Sequence, residues 1–278
     1  YYQDYGRVDQ LAKSFREGFV YSGDYSSFRK RRHGSSSRDV PAERFIVFSQ
    51  NHDQVGNRMM GERLSRLAGF EGAKLAAGAV LLAPFIPLLF MGEEYGETAP
   101  FPYFISHTDP GLVEAVRKGR REEFRSFTWG KEPPDPQAEA TFQSATLDHS
   151  LRAKDTHRAL FALYQRLIRL RKETASLARL DKDAIEVIGV ERKKLLFVRR
   201  WSEADEVFMF FNFSSSEATF EPPVPHRYWS KLCDSAEEEW RGRGSAIPQR
   251  LDMEKTSTLQ ISPWAFVLFK RQPEGSTR

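Results

Sequence analysis

Two unbroken apolar runs, each ending abruptly in polar residues, constrain this chain more than any other feature. Phe45-Ile46-Val47-Phe48 leads into Ser49-Gln50-Asn51-His52-Asp53-Gln54-Val55-Gly56-Asn57-Arg58, and Ile86-Pro87-Leu88-Leu89-Phe90-Met91 leads into Gly92-Glu93-Glu94-Tyr95-Gly96. Large apolar residues without alternation predict strands buried on both faces, as in a parallel sheet covered by helices. Between the runs, Glu71 to Ala83 is rich in Ala and Leu and stops at Pro84, which predicts a helix. Strand, helix and strand predict a right-handed crossover with both strand ends on one edge, where ligands collect in such sheets. Asp53, Glu93 and Glu94 are then expected to face one cleft, and Gly56 and Asn57 to give the turn unusual backbone angles. The competing reading is an ordinary Asn/Asp-rich turn whose side chains bond only the local backbone, with each Glu a solvated loop charge.

Elsewhere, Val8 to Val20 shows helical spacing with Leu11, Phe15 and Phe19 on one face. Ser22 to Asp39 reads as a Gly/Ser/Arg-rich loop, and the charge run Arg29 to His33 as a solvated face with no catalytic part. Phe101 to Pro110 reads as loop, Leu112 to Phe127 as a polar helix, and Pro133-Pro134-Asp135-Pro136 as a stiff linker. Thr156 to Thr174 places Leu160, Leu163, Tyr164, Leu167, Ile168 and Arg171 at helical spacing. From Ala184 the pattern changes to short β-prone runs: Ile185 to Val190, Leu195 to Trp201, Val207 to Phe213, Ala218 to Phe220, Thr256 to Ile261 and Ala265 to Lys270. Runs of this kind split by turns predict an antiparallel sandwich and a domain boundary near Leu180.

Charge and cysteine content narrow the function. A net charge of +4 from 42 basic and 38 acidic side chains gives no electrostatic case for nucleic acid. The single Cys233 excludes an internal disulfide and fits a reducing, cytoplasmic setting. The longest apolar stretch, Ala76 to Met91, is broken by Pro84 and Pro87 and is not a membrane span. Zinc-ligand spacing, a phosphate-binding Gly loop and a Ser-centred nucleophile elbow are all missing from the sequence.

Gln50-Asn51-His52-Asp53-Gln54 resembles the last signature of the α-amylase superfamily of glycoside hydrolases, the one that follows the seventh strand of their (β/α)8 barrel. The longer string Phe45 to Arg58, with Leu88 to Phe101, resembles the branch of that superfamily that releases trehalose from maltooligosyl trehalose. Further likeness runs through Asp4-Tyr5-Gly6, Leu11 to Tyr21, Arg31-Arg32-His33-Gly34 and His157 to Leu177. At Leu147-Asp148-His149 relatives more often carry a Trp after the Asp, which puts a sugar-stacking contact at His149 in doubt.

The resemblance implies a fold of α/β plus β class. Residues 1–180 would be the C-terminal part of a (β/α)8 TIM barrel, holding its last two strands and their helices, and residues 181–278 a small antiparallel β-sandwich. A full barrel takes about 250 residues, and the chain opens on Tyr1-Tyr2 without an initiator Met. The expectation is therefore a C-terminal portion, beginning after the sixth strand, of a retaining glycosidase whose nucleophilic Asp and acid/base Glu lie upstream. The partners expected are the maltooligosyl trehalose substrate and the N-terminal part of the same enzyme, with no cofactor, metal, nucleic acid or membrane.

By the same resemblance, Asp53 is the third carboxylate, a transition-state stabiliser that accepts from the ring 2-OH and 3-OH. His52 donates to the same hydroxyls, and Asn51, Gln54, Arg58, Glu93 and Glu94 bind substrate. Arg58 is equally open to a structural ion pair. One of the two Glu is expected only to brace its loop. Phe101, Tyr103 and Phe104 offer either a stacking face for glucose or ordinary core packing. The rival functions are a glucan-branching or other transglycosylating enzyme, and a non-catalytic glucan-binding relic; an upstream Asp and Glu would favour the enzyme.

Overall fold

The computed structural model describes residues 2–125, 132–225, 227–255 and 258–273. Its helices are α1 (Val8–Glu17), α2 (His52–Gly56), α3 (Leu64–Leu81), α4 (Pro110–Phe124), α5 (Glu139–Gln143), α6 (Asp155–Glu173) and α7 (Ala175–Ala178). Its strands are β1 (Asp24–Ser26), β2 (Arg31–His33), β3 (Ile46–Val47), β4 (Ile86–Pro87), β5 (Ile185–Val190), β6 (Leu195–Trp201), β7 (Glu206–Asn212), β8 (Ala218–Phe220), β9 (Tyr228–Asp234), β10 (Arg250–Asp252), β11 (Leu259–Ile261) and β12 (Phe266–Arg271). They form two compact units that do not follow the linear order of the chain: residues 1–47, 74–88 and 162–278 make one, and residues 48–73 and 89–161 the other.

The first unit is built on a six-stranded antiparallel sheet in the order β10-β9-β12-β7-β6-β5. Side chains alternate across a strand, so the continuous apolar run Val207 to Phe211 must be covered twice. On one face Phe197, Phe208, Phe210, Val267 and Phe269 form a cluster with Trp229, Leu251 and the residues Ala218, Leu259 and Ile261 of the small antiparallel sheet β8/β11. Phe208 lies 4.6 Å from Trp229 and 5.0 Å from Phe269, between ring centroids. On the other face Phe211 meets Phe15 of α1 at 6.1 Å, and a Cβ at Gly78 of α3 would fall 2.6 Å from the Phe266 ring. Only glycine lets α3 lie that close.

Several predicted elements differ in detail. The face α1 buries is Val8, Ala12 and Phe15; the helix ends at Gly18, whose N–H donates to Ser14 O, so Phe19 lies past the end and is exposed. The predicted loop Ser22 to Asp39 contains the hairpin β1/β2. Strands β9 and β10 fall outside the predicted set. Residues 126 and 127 of the predicted polar helix, and 256 and 257 of a predicted strand, lie outside the described residues.

Strands β3 and β4 pair in parallel, Ile46 with Ile86 and Val47 with Pro87, as the crossover pattern predicts. The expectation of burial on both faces fails. Phe45 and Phe85 pack together at 5.4 Å, whereas Ile46 is 58% and Ile86 39% exposed. In this register the two isoleucines sit side by side on one face, and both are left exposed. Each strand is two residues long, and Pro87 lacks the N–H that would extend the ladder.

The turn into β4 is held by two arginines. Arg171 of α6 donates to the carbonyls of Leu81, Ala83 and Phe85, and the fully buried Arg200 of β6 donates to those of Leu82 and Arg179. The last carbonyls of a helix have no partner within it and carry partial negative charge. A guanidinium fork satisfies several at once. Burial, with Arg171 beside it, pulls the Arg200 guanidinium down to about 9.

Candidate active site

The polar segment after β3 lies in the second unit and begins as a capped helix. Asn51 is the N-cap of α2: its Oδ1 accepts from Gln54 N at 2.9 Å. The backbone therefore does not need the unusual angles expected at Gly56 and Asn57. Asn57 is right-handed helical at φ −84°, and Gly56 does not have a positive φ. His52 and Asp53 occupy the first turn with side chains 72% and 74% exposed, His52 Nε2 standing 3.6 Å from Asp53 Oδ1. That is too long for a hydrogen bond. Gln54 keeps its side-chain Oε1 buried with no donor to it. Arg58 Nε donates to Glu62 Oε2 at 3.2 Å, the ion-pair alternative, made in the connection between α2 and α3.

The loop after β4 turns at Gly92, φ 86°, into a short 3₁₀ turn over Glu93–Tyr95. Glu93 is buried and its Oε2 accepts from Gln50 Nε2 at 3.2 Å; Gln50 Oε1 in turn accepts from Leu64 N at 2.9 Å, at the start of α3. Gln50 thus ties the two polar loops together, a positioning part that the sequence reading did not assign to it. Glu94 is half-buried.

The residue most heavily bonded in this unit is Glu97, 1% exposed. Its Oε1 accepts from the backbone N–H groups of Thr98 and Ala99, and its Oε2 from Tyr95 Oη at 2.9 Å and Asp148 N at 2.8 Å. Burial alone would raise its pKa, but the bonds from Ala99, Asp148, Tyr95 and Thr98 outweigh it and hold the carboxyl below its usual range. Burial and the Glu97 carboxylate push the Tyr95 phenol up to about 12. The third acid in Glu93-Glu94-Tyr95-Gly96-Glu97 was the available signal; its distant donor, Asp148 N, was not legible locally. Asp148 thus donates its N–H to Glu97 while its Oδ1 accepts from Ser150 N and Oγ, and His149 is exposed with its ring 6.2 Å from that of Tyr95.

The aromatic residues after this loop pack edge to face. Phe90 meets Phe101 at 5.2 Å, Phe101 meets Phe104 at 5.6 Å, and Phe104 meets Phe142 at 5.3 Å. Tyr103 is exposed, with the Arg120 guanidinium 4.9 Å from its ring centroid. A cavity of about 500 Å³ opens between Met60 to Ala73, the loop Tyr95 to Pro100, and the start of α6. None of Asn51, His52, Asp53, Gln54, Arg58, Glu93 or Glu94 lines it. Among the described residues no cluster of His, Cys, Asp or Glu is arranged to hold a metal ion, and no helix is long and apolar enough to cross a membrane.

No family model matches the sequence. The fold is close to that of a putative α-amylase of Salmonella typhimurium, with a TM-score of 0.76 and 30% identity over 95% of this chain and 41% of that one. A trehalulose synthase shares the fold alone, at TM-score 0.51 and 16% identity over 82% of this chain and 43% of that one. By these matches the fold is similar to that of α-amylase-like proteins. Within that class its sequence resembles the C-terminal portion of malto-oligosyltrehalose trehalohydrolase. It is 46% identical to that of Rhizobium sp. over 65% of this chain and 31% of the relative. It is 44% identical to that of Saccharolobus solfataricus over 62% and 29%, and 33% identical to that of Deinococcus radiodurans over 89% and 42%. The chain thus spans roughly a third of the length of the curated relatives it matches.

Proposed function

We propose that the chain carries part of the catalytic rim of an α-amylase-like glycoside hydrolase. Its reaction is cleavage of the α-1,4 bond next to the trehalose unit of maltooligosyl trehalose, releasing trehalose to water. In this reading residues 1–180 are the last part of a (β/α)8 barrel, residues 181–278 are its β domain, and the enzyme works in the cytoplasm. The observation that carries it is the division of labour in Asn51-His52-Asp53. Asn51 alone caps the helix, and His52 and Asp53 hold exposed side chains not used by the local backbone.

Retaining glycosidases pass through an oxocarbenium-like transition state, and hydrogen bonds to the ring hydroxyls that tighten there supply several kcal/mol. In the proposed site Asp53 accepts from two ring hydroxyls and His52 donates to one. The buried Glu93–Gln50 bond keeps the two loops in register. The nucleophile and the acid/base belong to the upstream part of the enzyme, as in the superfamily. The isolated 278-residue chain then releases no trehalose, since losing members of such a constellation costs orders of magnitude in rate.

A chimaera tests this directly: the N-terminal portion of the Rhizobium relative joined to this chain at Tyr1. Trehalose release from maltotriosyl trehalose by the chimaera, and none by the 278-residue chain alone, is the expected result. Release by the purified chain alone, or a folded chimaera without activity on this substrate, contradicts the proposal.

A further inference from the structure

We propose that the 500 Å³ cavity of the second unit is a binding pocket for a small amphipathic carboxylate, an apolar body of ring or short-chain size ending in one carboxylate group. The proposal stands on this cavity alone and does not depend on the reading of His52 and Asp53.

The volume falls in the range of small-molecule sites, about 300–1,000 Å³. Its walls are mostly apolar: Met60, Phe70, Ala73, Pro100 and Leu160 surround it. The wall residue Phe70 directly follows a break in α3. Gly69 has φ 71° and ψ −177° in its middle, and a Cβ there would meet nothing within 4 Å. The break is thus made by backbone conformation rather than forced by crowding, at an angle favouring glycine.

The polar groups of the wall decide which head group fits. Glu97 already takes four donors. Glu62 is committed to Arg58, and His157 is held through Nδ1 to Tyr95 O at 2.8 Å. The donors are less fully used. Arg63, 2% exposed, donates through Nε to Ala99 O and through Nη1 to Met91 O, both at 2.7 Å, yet its Nη2 is buried with no acceptor. Arg66, exposed beside it, makes no ion pair among the described residues. A buried donor left unpaired is destabilising, and an acceptor that reaches it relieves that cost. The two wall carboxylates are thus already engaged, whereas one guanidinium donor, Arg63 Nη2, is not. A carboxylate supplies only acceptors and suits a guanidinium best, whereas a sugar hydroxyl would bring a donor of its own.

The test titrates phenylbutyrate into the 278-residue chain by isothermal calorimetry, with phenylbutanol as its uncharged counterpart. Saturable one-to-one binding of phenylbutyrate is expected, with phenylbutanol at least about tenfold weaker, the factor that a charge-assisted bond of about 1.4 kcal/mol produces. Arg66→Gln is expected to weaken phenylbutyrate by about the same factor, Ala73→Phe to abolish binding by filling the cavity, and Arg121→Gln on α4 to change nothing. Three results overturn the proposal: no saturable binding of phenylbutyrate, equal affinity for the alcohol, or wild-type affinity in Arg66→Gln. If Ala73→Phe fails to fold, the surface variant Arg66→Gln decides.

Discussion

Asp53 and Glu97 are both carboxylates of the same unit, and they are used in opposite ways. Glu97 is closed off, with four donors on its two oxygens and almost no contact with solvent. Asp53 is open, three-quarters exposed, with His52 Nε2 at 3.6 Å from its Oδ1. A carboxylate whose acceptor sites are all filled is spent on the fold. One left open, on a helix capped by its neighbour Asn51, has its acceptor capacity available to a ligand. Stability and activity are accordingly expected to separate between the two positions.

The largest effect on stability is expected at Glu97. Glu97→Gln puts an NH2 against donors and leaves at least one buried N–H or O–H unpaired, a loss of about 3 kcal/mol, measured by urea unfolding of the 278-residue chain. The pH dependence follows from the sign of the shift. The folded-state pKa of Glu97 lies below its usual 4.5, so its contribution is fully present above that value and is lost as pH falls through the folded value. Wild type should therefore lose stability below pH 4.5 more steeply than Glu97→Gln; equal slopes would remove Glu97 from its place as the unit's charged anchor.

A smaller effect is expected at the cap: Asn51→Ala should cost about 1 kcal/mol. The smallest is at Asp53 itself, where Asp53→Asn should change stability by less than about 0.5 kcal/mol, as at other open surface positions. A loss at Asp53 equal to that at Asn51 would mean that both residues brace one turn.

The sequence disclosed the parallel pair β3/β4, the crossover helix between them, and most strands of the sheet, because long apolar runs and turn residues are local signals. It did not disclose β9, β10 or the hairpin β1/β2, where Lys231, Asp234, Arg250, Arg31 and Arg32 interrupt the apolar pattern. The same apolar signal had two outcomes. Val207 to Phe211 is covered on both faces, whereas Ile46 and Ile86 are not, because an apolar run states what a strand needs and not whether a covering element is present. At the site, Asn51, His52 and Asp53 were legible as a group, but the sharing of work among them was set by three-dimensional hydrogen bonding. The roles of Gln50 and Glu97 rest on partners at Glu93 and Asp148, 43 and 51 residues away in the chain, beyond any local pattern.

The most direct test of the contrast is the kinetics of Asp53→Asn in the chimaera, with maltotriosyl trehalose as substrate and circular dichroism confirming that both proteins are folded. The substitution keeps the shape and removes the charge. A contact that strengthens as the sugar ring flattens and becomes positive is worth more in the transition state than in the ground state, so kcat should fall by at least about tenfold, roughly 1.4 kcal/mol, with a much smaller change in KM. An unchanged kcat in a folded Asp53→Asn protein would contradict the account and reduce Asp53 to an exposed residue of its turn.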